Sequence, residues 1–138
     1  MIHFYDKSRE IVMKLSDFSF DNEQEQSIRF SSTISYAFYK ASQNIESYRF
    51  DLEDLLKELN LLHANKINSV LFRPIEGQLE ICFKQLEFGC IAVSLKLNYV
   101  DVDNYTHNMY ESMLMINYEI DQSFIPELIN EIEMVLKR

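Results

Sequence analysis

Four segments in the second half of the chain, residues 67–73, 78–84, 90–99 and 111–120, alternate apolar with polar residues, and no helical period separates them. Side chains along a strand point to opposite faces in turn, so such a run reads as a strand with one face buried. Leu79, Ile81 and Phe83 share a parity on one segment, and Ile91, Val93, Leu95 and Leu97 share one on the next. Leu114, Ile116, Tyr118 and Ile120 continue the series. Adjacent strands with short links pair as antiparallel hairpins. Glu76-Gly77 and Phe88-Gly89 supply turns, Gly89 being suited to a positive φ. The 78–84 and 90–99 segments are thus expected to form a hairpin turning near Glu87–Gly89.

The first half reads less regularly. Ile11, Met13 and Leu15 suggest a strand over 10–20, and a polar connection follows over 21–26. Ile28, Phe30, Ile34, Tyr36 and Phe38 share even parity, as on a long strand with one side buried. Residues 41–44, Ala-Ser-Gln-Asn, read as a turn, and 45–50 as a shorter strand. Asp51 then caps a helix in which Leu52, Leu55, Leu56, Leu59 and Leu62 follow helical spacing. A second helix closes the sequence, with Ser123 as its N-cap and Pro126 in its first turn. Ile125, Leu128, Ile129, Ile132, Val135 and Leu136 form its apolar stripe. The expected fold class is α+β: an antiparallel, curved, half-sandwich-like sheet of about six strands, with two amphipathic helices packed on it. With 138 residues, 47% of them apolar, and only two glycines and two prolines, the chain reads as a single domain spanning 1–138, without linkers or repeats.

Residues that would carry chemistry are missing from their usual patterns. Gly77 and Gly89 are too far apart to cradle a phosphate. His3, His63 and His107 are scattered, with no metal-ligand spacing. Residues 101–104, Asp-Val-Asp-Asn, resemble the start of a calcium loop, but the glycine at its sixth position is absent and Ser112 stands where a bidentate Glu belongs. No Ser or Cys lies in a nucleophile-elbow context. Cys82 and Cys90 lie off the apolar face and read as small structural side chains. The reading is of a binding protein, not an enzyme, with no catalytic residue, cofactor or metal.

Charge says more about partners. The net charge is −9, which repels nucleic-acid backbones and anionic membranes. Residues 1–100 hold 14 acids and 11 bases, whereas residues 101–138 hold 8 acids and 2 bases. The candidate partner-binding residues follow from that asymmetry: Asp101, Asp103, Glu111 and Glu119, the aromatics Tyr105 and Tyr110 between them, and Glu127 and Glu131 on the last helix. A basic protein domain is the expected partner, and the chain is expected to be a monomer or weak dimer. No signal-peptide pattern opens the sequence and no stretch of ~18 apolar residues occurs, so the expected location is the bacterial cytosol. Other classes compatible with these features are a structural or regulatory subunit of a larger assembly, and a small-ligand-binding domain.

From residue 50 to 136 the order of elements resembles the WapI-like family of bacterial immunity proteins. A helix over 51–62 is followed by Val70-Leu71-Phe72-Arg73-Pro74-Ile75-Glu76 running into Leu79-Glu80-Ile81-Cys82-Phe83. The glycine-led strand Gly89-Cys90-Ile91-Ala92-Val93-Ser94-Leu95 comes next, and Ile116-Asn117-Tyr118-Glu119-Ile120-Asp121-Gln122-Ser123 leads into the last helix. The first 50 residues read as generic strands. The resemblance implies a cytosolic protein that binds and blocks a cognate toxin domain, one of a class that includes basic nucleases. It carries over no catalytic residue.

Overall fold

The computed structural model describes residues 1–21 and 26–137. Its elements are β1 (Ile2–Tyr5), β2 (Ile11–Phe20), β3 (Ser27–Tyr36), β4 (Tyr39–Tyr48), α1 (Arg49–His63), β5 (Ser69–Phe72), β6 (Leu79–Gln85), β7 (Cys90–Val102), β8 (Met109–Asp121) and α2 (Ile125–Leu136). The strands form two four-stranded antiparallel sheets, ordered β1-β2-β3-β4 and β5-β6-β7-β8. Each half of the chain is thus a four-strand meander followed by a helix. Each helix packs against the first strand of the other half, α1 on β5 and α2 on β1, and the two helices pack on each other.

The expectation of one sheet of about six strands is corrected here to two sheets of four. The reason is geometric. Six strands at ~4.8 Å span roughly 29 Å, whereas two helices of ~10 Å diameter cover only about 20 Å. Each sheet is apolar on one face, so two such sheets bury more by facing each other. The contacts between sheets follow that logic: Phe4 of β1 stacks on Phe83 of β6 at 6.3 Å between centroids, and Tyr36 of β3 on Tyr118 of β8 at 6.3 Å. Burial pushes the Tyr118 phenol well above its ordinary pKa, helped by the Asp6 charge and Tyr36. Apolar residues from both sheets and both helices join one buried cluster.

Several local readings also change. Residues 2–5 pair with β2 as a strand, burying Ile2 and Phe4. The turn expected at 41–44 lies instead at Ala37-Phe38, between the paired Tyr36 and Tyr39. Residues 41–44 sit inside β4 because their polar side chains face a polar row on β3. Ser31 donates to Asn44 at 3.2 Å and Ser42 to Thr33 at 3.4 Å. Phe38, expected on the buried face, is fully exposed at that turn. The short strand over 45–50 is the end of β4, and α1 starts at Arg49. Ile11 is half-exposed, and a bulge at Asp17 (φ 58°) shifts the register of β2 against β3. Of the 21–26 connection, residues 22–25 lie outside the described residues.

The second-half strands stand where the alternation puts them, with Leu79, Ile81, Phe83, Ile91, Val93 and Leu95 all buried. Leu79 pairs with Leu97 and Phe83 with Val93, and the turn is a 3-10 turn at Glu87–Gly89 with Gly89 at φ 72°. The helix starts are refined. Asp51 lies at the third position of α1, and its carboxylate accepts from the Tyr48 backbone N–H at 3.0 Å and the Ser47 hydroxyl at 2.6 Å. Before α2, Asp121 accepts from the Ser123 N–H at 2.8 Å, a 3-10 turn spans Gln122–Phe124, and the helix proper begins at Ile125. Arg49 donates to the Leu136 carbonyl, tying the start of α1 to the end of α2.

Candidate functional site

Strands β7 and β8 are 13 residues each, but β6 is only seven, beginning at Leu79 opposite Leu97. Beyond Asn98 and Met113 the β7–β8 ribbon therefore has no third hydrogen-bonded strand among the described residues. It projects about four residues past the sheet, or roughly 13 Å at ~3.4 Å per residue, before the 103–108 loop. From Tyr99 to Met113 every residue is exposed except Asp103, which is half-buried. Strand alternation divides the arm. Val100, Val102, Met109 and Met113 continue the outer face of the second sheet, with Glu111 opposite Val100. Tyr99 and Tyr110 lie on the other face, with Asp101 opposite Tyr110 and Ser112 opposite Tyr99.

The tip is ordered by one carboxylate. Asp103 Oδ1 accepts from the backbone N–H of Tyr105 at 2.8 Å and of Thr106 at 3.1 Å. The Thr106 and Tyr105 N–H groups, in that order, hold the Asp103 carboxyl below its ordinary pKa. The Asp103 N–H donates to the Asn108 carbonyl at 2.9 Å, and His107, at φ 60°, donates back to the Asp103 carbonyl at 2.8 Å. This closed loop presents Tyr105 almost wholly to solvent, 96% exposed.

Of the eight residues singled out by sequence, five meet on this arm: Asp101, Asp103, Tyr105, Tyr110 and Glu111. The other three lie elsewhere. Glu119 is eight residues further along β8, roughly 27 Å from Glu111, and faces Lys7 at 3.7 Å. Glu127 is bound by Arg9 at 2.7 Å, and that guanidinium also covers the Phe124 ring at 4.3 Å. Glu131 accepts from the His3 backbone N–H at 2.7 Å and meets His3 Nδ1 at 2.8 Å. These glutamates fasten β1 and the β1–β2 turn to β8 and α2.

Among the described residues no group of three His, Cys, Asp or Glu lies close enough to hold a metal ion. Cys82 and Cys90 are both free; Cys82 pairs with Ser94 and Cys90 with Asp121. A shallow cleft of about 370 Å³ lies at the root of the arm, lined by Gln43, Glu76, Gln78, Asn98 and Tyr99 among others. No helix among the described residues is long and apolar enough to cross a membrane.

The sequence model of the immunity protein WapI-like family matches residues 2–138, nearly the whole chain. The chain belongs to the WapI-like immunity protein family. No curated protein and no solved structure is significantly similar to it. The WapI-like match takes in the first 50 residues as well, so the first sheet is part of the family's fold. An immunity protein of this family meets a toxin protein as its partner and serves to neutralise it; such proteins are generally not enzymes.

In this WapI-like protein the arm exposes apolar side chains beside its acids. Val100, Val102, Met109, Met113 and Met115 escaped the sequence reading. The signal was present: β8 carries apolar residues at both parities, Leu114 and Ile116 inward, Met113 and Met115 outward. A strand apolar on both faces buries one of them and offers the other.

Proposed function

We propose that this immunity protein neutralises its cognate toxin by direct contact, without chemistry, and that the β7–β8 arm is the contact surface. One observation carries the reading. A 15-residue ribbon, 99–113, leaves Tyr99, Val100, Val102, Tyr105, Met109, Tyr110 and Met113 all in solvent. A two-stranded ribbon gains little from exposing apolar side chains, and contiguous patches of this kind mark interaction sites. Asp101, Asp103 and Glu111 set among them favour a basic partner, and the chain's net charge of −9 would steer its approach. Glu119, Glu127 and Glu131 add to that field from a distance while holding Lys7, Arg9 and His3. The site of action is the cytosol, where the toxin would be met.

The test is association kinetics with the toxin domain encoded beside this chain's gene. Tyr105→Ala and Tyr110→Ala are expected to weaken binding about 30-fold each, the loss typical of a central aromatic anchor. Glu111→Lys is expected to slow association, and rising salt to slow it for the wild type, as the Debye length falls from ~10 Å at 0.1 M to ~3 Å at 1 M. Affinity unchanged by all three substitutions would place the contact elsewhere.

A further inference from the structure

We infer that β8 binds by strand addition: its free edge, from Met109 to Asn117, takes an extended, basic segment of the partner as a ninth strand. This rests on the toxin-binding reading and specifies its mode.

The argument begins with the four edge strands. A sheet edge offers unpaired N–H and C=O groups, and proteins protect it with Lys, Pro, bulges, short length or a covering element. β5 is four residues long and covered by α1; β1 is four residues long and covered by α2, with Glu131 accepting from its His3 N–H. β4 lies beside β7, where Gln43 donates to the Asn98 carbonyl at 3.2 Å, and it carries Lys40. Among the described residues β8 has none of these along Met109–Asn117. It is 13 residues long, contains no Lys, Arg or Pro, and pairs with β7 through 13 consecutive residues without a bulge. From Ser112 to Tyr118 it carries no charge at all.

The register identifies which backbone groups face outward. Asp103 N–H donates to the Asn108 carbonyl and Asn98 N–H to the Gln78 carbonyl. Asn98 thus turns its hydrogen bonds to β6, and the odd-numbered residues of β7 turn theirs to β8. Antiparallel ladders alternate bonded and non-bonded pairs. Leu114 and Ile116, opposite Leu97 and Leu95, therefore bond to β7, while Met113, Met115 and Asn117 direct their N–H and C=O to the open side. The same three side chains are exposed on the outer face.

Charge selects the occupant. The ionisable acids of β8 are Glu111, Glu119 and Asp121, with Asp101 and Asp103 beside them on the arm. A second copy added antiparallel with Met115 at the two-fold centre would set Glu111 against Glu119 twice across the seam, and like charges directly opposed are destabilising. A strand bearing Lys or Arg near both ends meets the same positions with opposite charge.

Residue-resolved amide exchange of labelled protein, alone and with the toxin domain encoded beside its gene, tests this. The amides of Met113, Met115 and Asn117 are expected to exchange fast in the free protein and about 100-fold more slowly in the complex. Leu114 and Ile116, already bonded to β7, are slow in both. Met115→Pro deletes an outward donor without touching the β7 ladder and is expected to weaken affinity about 10-fold, as for one interfacial hydrogen bond plus strain. Met115→Ala, which keeps the donor, is expected to cost less. If the three amides stay fast in a complex that Tyr105→Ala still weakens, strand addition is wrong and the arm remains the contact. If neither Tyr105→Ala nor Met115→Pro alters affinity, the arm reading itself fails. Slow exchange of the same amides in the protein alone, growing with concentration, would assign the edge to a second copy and overturn the inference.

Discussion

Glu127 and Glu131 stand one turn apart on the outer side of α2, and sequence treats them alike. The structure does not. Glu131 has a side-chain exposure of 26% and holds two groups of His3, the backbone N–H at 2.7 Å and Nδ1 at 2.8 Å. Glu127 is 52% exposed and holds Arg9, itself 53% exposed. Truncating Glu131 to Ala removes both acceptor oxygens from His3 of β1, an edge strand of four residues. A hydrogen bond to a charged group contributes about 1.5–3 kcal/mol, and water can replace part of it at a half-exposed position, so the expected loss is about 1–2 kcal/mol. In a chain of this length that is a fall in Tm of roughly 3–8 °C. Glu127→Ala removes an exposed ion pair and should cost no more than about 0.5 kcal/mol, shrinking further in high salt. Urea unfolding of both variants at two salt concentrations is the assay. Equal losses for the two glutamates would refute the distinction, and with it the view that Glu131 is a structural clasp and not a free binding charge. Glu131→Lys would be expected to impair partner binding chiefly by unfolding the protein, so binding must be read per folded molecule.

Other outcomes follow from single features. Ser32 is completely buried and its hydroxyl has no hydrogen-bond partner among the described residues; Ser32→Ala is expected to raise unfolding free energy by about 1 kcal/mol, measured by urea denaturation. Phe88 sits at φ 59° before Gly89 at φ 72°, a pair of positive angles that suits Asn-Gly; Phe88→Asn is expected to raise Tm by a few degrees, about 1 kcal/mol, in a thermal melt. The Asp121 carboxyl is held below its ordinary pKa by the Ser123 backbone N–H. A depressed folded pKa contributes stability that is full above the unfolded value near pH ~4 and is lost as pH falls through the folded one. Asp121→Asn, which keeps an acceptor and loses the titration, is expected to flatten the acid limb of a stability–pH curve below about pH 4.

What could be read from sequence was whatever rested on strict period. The strands around Ile81, Val93, Leu95 and Ile116 alternate cleanly because each has one wet and one dry face, and their pairing followed. The helices were legible from Leu52, Leu55, Leu59 and from Ile125, Leu128, Ile132 for the same reason. Residues 41–44 misled because Ser and Asn favour turns in isolation, yet here Ser42, Gln43 and Asn44 meet Thr33, Ser32 and Ser31 across a ladder that only tertiary pairing reveals. The division into two sheets was hidden because parity says which face is buried and not what buries it. On the candidate surface, the acids and tyrosines of the arm were singled out by composition. The pairing of Glu127 and Glu131 with Arg9 and His3, 118 and 128 residues away in the chain, left no local trace.

The exchange of helices between the two halves has a mechanical consequence. Each meander has one apolar face, and the surfaces that cover it, the opposing sheet and the crossed-over helix, come from the other half. Each half thus supplies surfaces that close the other's core, and the two are joined by the short tether of residues 64–68. Opened at that tether, the pieces would be sticky and unfolded apart but matched to each other, and reassembly would become a bimolecular, concentration-dependent event. A toxin antagonist built this way is one that could be switched on by bringing two halves together.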